Sequence, residues 1–260
     1  MFELSIQKQS LKINKKYYLK SFYIVLCVIL LTGIFSILPY FANKLLELST
    51  VNIALKSISN DLNSIIFISI VCSIALLSLM FYSAVSIGEK AWYLGHLYKK
   101  KKCLKRLIFW LKPKFSLKAL KINILLYSIK TIHYILLCLP SLILLFTTVT
   151  LAFTGGIEVY LFISLLVGVF ILFLTGAIFA FIANQRYFLA KYLLAENPKL
   201  GVIQVLKQSK NLMDGQIFRV IKFKLSFMPA FILYLLVFPI IFIHPHYKQC
   251  CCIIAKELRL

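Results

Sequence analysis

Five stretches of the chain are almost continuously apolar and are separated by polar or basic segments. Each is close to the ~20 residues that a helix needs to cross the hydrocarbon core of a bilayer. None shows the alternation over roughly ten residues that marks a strand of a membrane barrel. The pattern therefore predicts an all-α, polytopic helical membrane protein that forms a single integral membrane domain over residues 1–260. The predicted transmembrane helices, about five in number, cover residues 21–41, 65–87, 131–153, 159–183 and 225–243.

The first apolar stretch follows a basic leader, as the apolar core of a secretory signal peptide does. Its apolar run is longer than that of a signal peptide, and no cleavage site of small residues follows it. Tyr40, two residues before Ala42, is bulky where a small residue is needed. We therefore predict a retained signal anchor.

The composition supports the membrane class and adds an orientation. Hydrophobic residues make up 61% of the chain and charged residues 15%, against roughly 45–50% and about 25% in soluble domains. The net charge is +22, and 24 of the 30 Lys and Arg residues lie in the alternate segments 1–20, 88–121 and 184–224. This asymmetry predicts that these segments and the N terminus are cytoplasmic. Five spans place the C terminus outside, and an alternative in which the last segment folds back on the membrane surface stays open.

Small residues and prolines mark the connections between the later spans. Gly155 and Gly156 predict a tight turn between the third and fourth spans. Pro140 predicts a kink in the third span. Gly176 and Ala180 have the four-residue spacing that lets two helices approach closely, so we predict a packing contact there.

The segment 184–224 predicts two helices. Residues 187–195 continue the fourth span, after which Asn197 is expected to cap a second helix whose first residue is Pro198. Gly215 stands where a left-handed residue ends that helix. The second helix is amphipathic, so we expect it to lie at the inner leaflet or under the helix bundle. Its predicted apolar face consists of Val202, Val205, Leu206, Ser209, Leu212 and Met213.

Cations and aromatic residues alternate in the segment 88–121, which includes Lys99, Lys100, Lys101 and Lys102. This mixture also occurs in nucleic-acid-binding proteins, but no nucleic-acid module is visible and the segment lies between two spans. Contact with anionic lipids of the inner leaflet, with the aromatic rings at headgroup level, explains it more simply. We expect the lipid bilayer as partner, another membrane protein or a second copy as a further partner, and no nucleic acid.

The sequence carries few groups suited to chemistry. The five predicted spans contain no Asp, Glu, Lys or Arg, and His133 is interpreted as an interfacial residue. Two His and three Cys are clustered at His244, His246 and Cys250–Cys252, but their spacing fits no standard metal site. No catalytic motif is present. We therefore expect no catalytic residue, no cofactor and no metal.

Two blocks in the last third of the chain carry a recognisable motif. The first runs from Arg186 to Pro198, and the second comprises Ser209, Leu212, Met213 and Gly215, followed by Leu225, Ser226 and Phe227. Together they resemble an uncharacterised family of bacterial integral membrane proteins, domain-of-unknown-function family 975. The resemblance implies a bacterial protein with several spans and a basic N terminus, and it implies no known activity. The tail departs from the family pattern at His246 and at Ile254–Ala255.

Three functions follow from these features. The first is a non-enzymatic scaffold, accessory or immunity-like component of another membrane system. The second is a small-solute permease or channel subunit, which requires a shared polar path lined by hydroxyl side chains. The third is an enzyme acting on lipid headgroups, which requires a cleft around Arg186, Ser209 and Asp214. The candidates for the polar path are Ser69, Ser73, Ser78 and Ser83, or Thr147, Thr148 and Thr150.

Overall fold

The computed structural model describes residues 60–98, 103–155, 158–229 and 240–259, together with six isolated positions. Those positions are Ser5, Ile6, Lys8, Ser10, Tyr23 and Leu26. Within these residues all regular secondary structure is helical, which confirms the all-α prediction. The predicted span 21–41, apart from two positions, lies outside the described residues, as do positions 230–239 of the last predicted span. The four predicted lipid-contact residues Lys99, Lys100, Lys101 and Lys102 also lie outside them.

The described residues form eight α-helices and one short 3-10 helix, Gln185–Tyr187. The α-helices are α1 (Asn60–Leu97), α2 (Cys103–Phe109), α3 (Pro113–Phe153), α4 (Val159–Asn184), α5 (Ala190–Glu196), α6 (Val202–Met213), α7 (Ile217–Ser226) and α8 (Ile240–Glu257).

Three described stretches are long and apolar enough to cross a membrane, namely Cys72–Leu97, Pro113–Phe153 and Val159–Glu196. They include most of the second predicted span and all of the third and fourth. The first and third stretches end later in the sequence than predicted, and the second begins earlier. Many of their apolar side chains are exposed, among them Phe146 at 70% and Phe170 at 64%. Exposure of such surface to water costs roughly 25 cal/mol per Å², and a bilayer removes that cost. The total of five spans stays a prediction.

The contacts divide the chain into two compact units. The first unit combines Met1–Lys121, Lys191–Leu200 and Ser226–Leu260, and it contains α1, α2 and α8. The second unit combines Ile122–Ala190 and Gly201–Leu225, and it contains α4 and α6. Helix α3 begins in the first unit and continues into the second.

The first unit has an aromatic core in the segment that the sequence predicted to be a lipid-facing loop. Helix α1 continues to Leu97, and α2 packs against it at Gly88, where a Cβ atom would lie 3.1 Å from the Leu107 carbonyl oxygen. Trp92 and Trp110 are 2% and 1% exposed. The predicted position of these two rings at lipid headgroup level is therefore wrong, because both are buried where α2 packs against α1.

The second unit is held together by close packing of α4 on α3. A Cβ atom on Gly176 would collide with the Leu137 carbonyl oxygen, and both Gly176 and Ala180 are buried. The close approach at Gly176 is of the kind that small residues allow between two helix backbones. Gly155 has a φ of +70°, as the predicted turn requires. Helix α3 runs through Pro140 without interruption, and a kink there stays a prediction.

The start of α6 differs from the prediction. Helix α4 ends at Asn184, a 3-10 turn follows, and α5 ends at Glu196. Helix α6 begins only at Val202, with Gly201 as its N-cap, so Asn197 does not cap it and Pro198 is not its first residue. The Gly201 N–H donates to Gln204 Oε1 at 3.0 Å, which satisfies one of the free donors at this helix start.

The end of α6 bears out the conformation predicted for Gly215. Asp214 has φ −63° and ψ 127°, and Gly215 has φ +78°. These angles are those of a type II β-turn, in which the third residue needs a positive φ. The Gln216 N–H donates to the Met213 carbonyl oxygen at 3.0 Å and closes the turn. The glycine thus reverses the chain between α6 and α7.

The amphipathic prediction for α6 is confirmed. Its buried residues are Val205, Leu206, Ser209 and Met213, all on the predicted apolar face, whereas Val202 and Leu212 are half-buried. The opposite face is exposed and carries Lys207 and Lys210. Helix α6 packs against the 3-10 turn, so its apolar face is covered by protein.

Candidate functional site

Helix α1 carries a buried carboxylate, Glu89, that the hydropathy pattern does not single out. Glu89 lies two residues beyond the predicted end of the second span, but α1 continues for a further eight residues, and Glu89 is 4% exposed. The stretch Cys72–Leu97 therefore contains an acid and, at Lys90, a base. The prediction that the spanning helices are free of charge does not hold for α1.

Helix α8 supplies the partners of this carboxylate. Lys248 Nζ lies 3.0 Å from Glu89 Oε2, and His244 Nε2 lies 3.8 Å from Glu89 Oε1. The second distance is too long for a hydrogen bond. His244 and Lys248 are four residues apart, which places them on the same face of α8. Lys248 fixes α8 on α1 through one buried acid, with His244 beside it, and we call Glu89, His244 and Lys248 the ionic clamp.

Lys90 faces a different group of atoms. Its ammonium group donates to the Ser86 carbonyl oxygen at 3.1 Å and contacts the Ser86 hydroxyl at 3.4 Å. It also lies 5.9 Å from the centre of the Tyr192 ring, within the range of a cation–π interaction. Lys90 is therefore held by α1 itself and by α5.

The charge state of Lys248 follows from two opposing effects. Burial acts to lower the pKa of its ammonium group, but the negative charge of Glu89 and the hydrogen bond to it act in the other direction. The net result is a pKa raised above its ordinary value. The lysine of the ionic clamp is consequently held in its charged form beside Glu89.

The three adjacent cysteines of α8 are buried and carry no disulfide. Burial raises the pKa of the Cys250 thiol to about 12 and that of the Cys252 thiol well above its ordinary value. Reactive and metal-binding cysteines need an accessible thiolate. These thiols stay protonated and serve as small apolar residues. Among the described residues, no three His, Cys, Asp or Glu side chains come together in a group able to hold a metal ion.

His246 contacts a serine and a cysteine of the same chain through its two ring nitrogen atoms. The Ser10 hydroxyl lies 3.0 Å from its Nδ1 atom, and burial lowers the pKa of the imidazole. The Cys250 Sγ atom lies 3.9 Å from Nε2. The ring is therefore a neutral side chain within the protein, held by a serine and packed against a thiol.

The C-terminal end of α8 makes a second polar contact. Lys256 Nζ lies 5.2 Å from the centre of the Tyr98 ring, just beyond the end of α1. The Tyr98 hydroxyl donates to Glu196 Oε1 at 3.4 Å, and Arg259 forms an ion pair with the same carboxylate. Helix α8 is thus fixed near its middle by the ionic clamp and near its end by Tyr98 and Glu196.

Ser209, the predicted motif residue that could have served as a nucleophile, is used in packing. It is fully buried, and its hydroxyl donates to the Arg186 carbonyl oxygen at 3.0 Å. Asp214 is exposed in the β-turn after α6. Ser209 therefore ties α6 to the 3-10 turn.

The last predicted motif residues end α7. Leu225 and Ser226 are exposed, whereas Phe227 is buried against α8. The Phe227 ring centre lies 5.3 Å from that of Tyr247 and 5.7 Å from that of His246. Phe227 thus packs on the same helix that carries the ionic clamp.

The turn between α5 and α6 explains the role of Asn197 and Pro198. The Lys118 ammonium group donates to the Pro198 carbonyl oxygen, and the Leu200 N–H donates to the Asn197 carbonyl oxygen at 3.2 Å. The two motif residues therefore form an anchored turn before α6 begins.

Most of the hydroxyl groups that were candidates for a polar path bond to their own helix. Ser73 donates to the Ser69 carbonyl oxygen at 2.7 Å, and Thr148 donates to that of Leu144 at 2.7 Å. Ser78, Thr147 and Thr150 make the same kind of local bond. Ser83 is buried at 3% exposure. This local bonding satisfies the hydroxyl donors within each helix.

A signal for the ionic clamp exists in the sequence but is weak. Glu89 follows the second apolar run directly, and His244 and Lys248 have a helical spacing at the end of the last one. An acid at the end of one apolar run and a base at the end of another can form an ion pair between the two helices. Nothing in the sequence identifies which of the many cations is the partner.

The fold and its interactions define a class of protein. In the part of the chain that the structure describes, all elements are helical, three stretches can span a membrane, and the buried polar groups connect the helices to one another. The described residues therefore place the chain in the class of helical proteins with stretches able to span a membrane.

The chain belongs to the DUF975 family, which is described as a protein family of unknown function. The family profile matches residues 5–254, nearly the whole chain. This confirms the resemblance drawn from the motif in the last third of the sequence. No curated protein and no solved structure matches the chain.

Proposed function

We propose that this chain is a non-enzymatic, multi-pass protein of the bacterial cytoplasmic membrane that serves as a scaffold, accessory or immunity-like component of another membrane system. The observation that carries the proposal is the ionic clamp. Its buried acid is neutralised by Lys248 of the same chain, at 3.0 Å, and contributes to helix packing. A polar group used in this way supports a structural role.

The proposed orientation has a cytoplasmic N terminus and basic segments that contact anionic lipids of the inner leaflet. The support is the distribution of Lys and Arg over alternate segments, the usual signature of cytoplasmic loops. Residues 99–102 contribute four consecutive lysines to this attraction, each worth about 1 kcal/mol near an anionic surface.

The packing contacts weigh against an enzyme. An acyl or phosphoryl transfer site needs a nucleophile or base that reaches a substrate. Ser209 is buried and donates to a backbone carbonyl, and the pKa of the Cys250 thiol is raised to about 12. Neither side chain supplies an accessible nucleophile.

Two exposed apolar side chains suggest where a protein partner binds. Ile203 on α6 is 76% exposed, and Phe218 on α7 is 75% exposed, although both helices are otherwise amphipathic. Single exposed apolar residues are common on protein surfaces, so these two positions are the probes for a partner in the experiment that follows. Both belong to the second unit.

The test is site-specific photo-crosslinking in cells, with the photoreactive residue at position 203 or 218. We expect one reproducible membrane protein at both positions, together with its co-purification in mild detergent. The control position is Val205, which is fully buried on the same helix as Ile203. A monomeric protein without crosslinks at either exposed position would contradict the scaffold proposal.

The second candidate is a small-solute permease or channel subunit. One observation favours it, because ionisable residues on a spanning helix commonly mark solute or proton paths, and α1 carries Glu89 and Lys90. The discriminating measurement is solute flux into proteoliposomes with the wild-type chain and the Glu89→Gln variant. The first proposal expects no flux from either protein. Flux that Glu89→Gln abolishes would replace it with the second.

A further inference from the structure

The contacts between α1 and α8 determine the direction in which the two helices run. Glu89 meets Lys248, and nine residues later Tyr98 meets Lys256, eight residues beyond Lys248. At about 1.5 Å per residue these separations are about 13 Å along α1 and about 12 Å along α8. The equal spacing in the same order means that α1 and α8 lie side by side and parallel.

The C-terminal ends of these helices therefore lie at the same level. Tyr98 directly follows α1, so α8 ends beside the C-terminal end of α1. Arg259, two residues beyond the end of α8, pairs with Glu196, the last residue of the spanning stretch Val159–Glu196. Two independent contacts thus place the end of the chain at this level.

Phe227 lies beside the middle of α8. Phe227, directly after α7, is in ring contact with Tyr247 at 5.3 Å. Positions 227 and 247 therefore lie at the same height along the axis of α8. The twenty residues that separate them in sequence start and finish at that height. A helix needs about 20 residues for a single crossing. The length of chain between these rings is enough for one passage and too short for a passage and a return.

We infer that the C-terminal tail lies on the same side of the membrane as Tyr98, so that the chain makes no net crossing between Phe227 and Arg259. With the cytoplasmic orientation proposed above, this reduces the predicted number of crossings from five to four and places the tail in the cytoplasm. The three cations of the tail, Lys248, Lys256 and Arg259, then join the basic side. The inference on relative sidedness holds for either absolute orientation.

The sidedness test uses the full chain with a short split-fluorescent-protein strand at one of three places. The strand follows Leu260, or is inserted between Lys100 and Lys101, or is inserted at Gly156 in the turn between α3 and α4. A complementing fragment in the cytoplasm gives fluorescence only with a cytoplasmic strand. We expect positions 100 and 260 to give the same signal and position 156 the opposite one.

The outcomes separate the inference from the proposed orientation. A signal at position 260 that agrees with position 156 and opposes position 100 would overturn the inference. Fluorescence at position 156 alone would support the shared side of positions 100 and 260 but reject the cytoplasmic orientation.

A crosslinking experiment tests the helix direction without an insertion. In a chain whose native cysteines are replaced, Tyr98→Cys is combined with Lys256→Cys and treated with a short bismaleimide. We expect an internal crosslink, because these side chains are in contact. The control pair is Tyr98→Cys with His244→Cys. Positions 244 and 256 are separated by about 18 Å along the helix. A crosslink in the control pair alone would show antiparallel helices and overturn the inference.

Discussion

The two units of this protein hold their helices together by opposite means. In the first unit α8 is fixed on α1 by the ionic clamp, in which Lys248 neutralises Glu89 at 3.0 Å. In the second unit α4 meets α3 at Gly176, where a Cβ atom would collide with a backbone carbonyl. Removal of one partner of a buried ion pair leaves an uncompensated charge, whereas a close backbone contact has no room for added atoms. The first unit is therefore sensitive to what is removed and the second to what is added.

The largest effect is expected from Lys248→Met, which removes the lysine of the ionic clamp and leaves Glu89 buried without its charge partner. We expect a loss of roughly 3–5 kcal/mol in the free energy of unfolding. The measurement is equilibrium unfolding in detergent, together with protease cleavage within α8.

Two variants sharpen this result. Lys256→Met makes the same change on the same helix but removes only a cation–π contact, worth about 0.5–1 kcal/mol. The double variant Glu89→Gln with Lys248→Met removes both charges, and we expect it to recover most of the lost stability. Equal losses for the two lysines would contradict the clamp.

The second effect is expected from Gly176→Ala, which adds one methyl group between α4 and α3. The clash with the Leu137 carbonyl oxygen forces the helices apart at a cost of about 1–3 kcal/mol. The matched control is Gly168→Ala on the same helix, where no atom lies within 4 Å of the new Cβ. Alanine favours a helix by roughly 0.5–1 kcal/mol over glycine, so the control should be neutral or stabilising. Thermal unfolding of both variants checks this difference, and equal responses would refute it.

The third effect is expected from Ser209→Ala, which removes the hydrogen bond between α6 and the 3-10 turn. A single hydrogen bond contributes about 1 kcal/mol, so we expect a small loss of stability and faster proteolysis after α6. Asn211→Ala, on the exposed face of the same helix, serves as control. A Ser209→Ala protein with the stability of wild type would show that α6 is held by its apolar face alone.

The smallest effect concerns the pH dependence of α8, which belongs to the first unit. Burial lowers the pKa of His246, so the unfolded chain binds a proton there at a higher pH than the folded chain. The contribution of this histidine is fully present above its ordinary pKa near 6.5 and is lost as the pH falls toward the lower pKa of the folded state. We expect His246→Gln to reduce this acid sensitivity of α8. Protease cleavage between pH 7 and pH 5 measures it, and an unchanged profile in the variant would assign the sensitivity to other groups.

Local features of this fold were predictable from the sequence because each depends on nearby residues. The apolar runs gave the spanning helices, the small residues Gly176 and Ala180 gave a close contact, and Gly215 gave a positive φ. Each of these reflects a constraint that a single residue type satisfies, such as the absence of a Cβ atom. The start of α6 was misplaced because Asn197 and Pro198 have strong local preferences for a helix start, whereas a contact from Lys118 fixes them in the preceding turn.

The ionic clamp could not be predicted because it depends on a pairing between distant parts of the chain. Any of the 30 cations was a candidate partner for Glu89, and only the packing of α8 on α1 selects Lys248. The predicted second span ended at residue 87, so Glu89 was expected to lie outside it. A charged residue ends an apolar run in the sequence, but it does not end the folded helix. The same limitation applied to Trp92 and Trp110, whose burial depends on α2.

The separation of 159 residues between Glu89 and Lys248 has a consequence for biosynthesis. Translation proceeds at about 5–20 residues per second, so α1 is made roughly 8–30 seconds before the lysine that neutralises its acid. During that interval Glu89 has water as its best partner, which favours a position of α1 with this residue close to the membrane surface. The last part of the chain to leave the ribosome is then the part that allows α1 to reach its final depth. A ribosome stalled before codon 248 should accordingly hold a nascent chain whose α1 is still accessible to water-soluble reagents near residue 89.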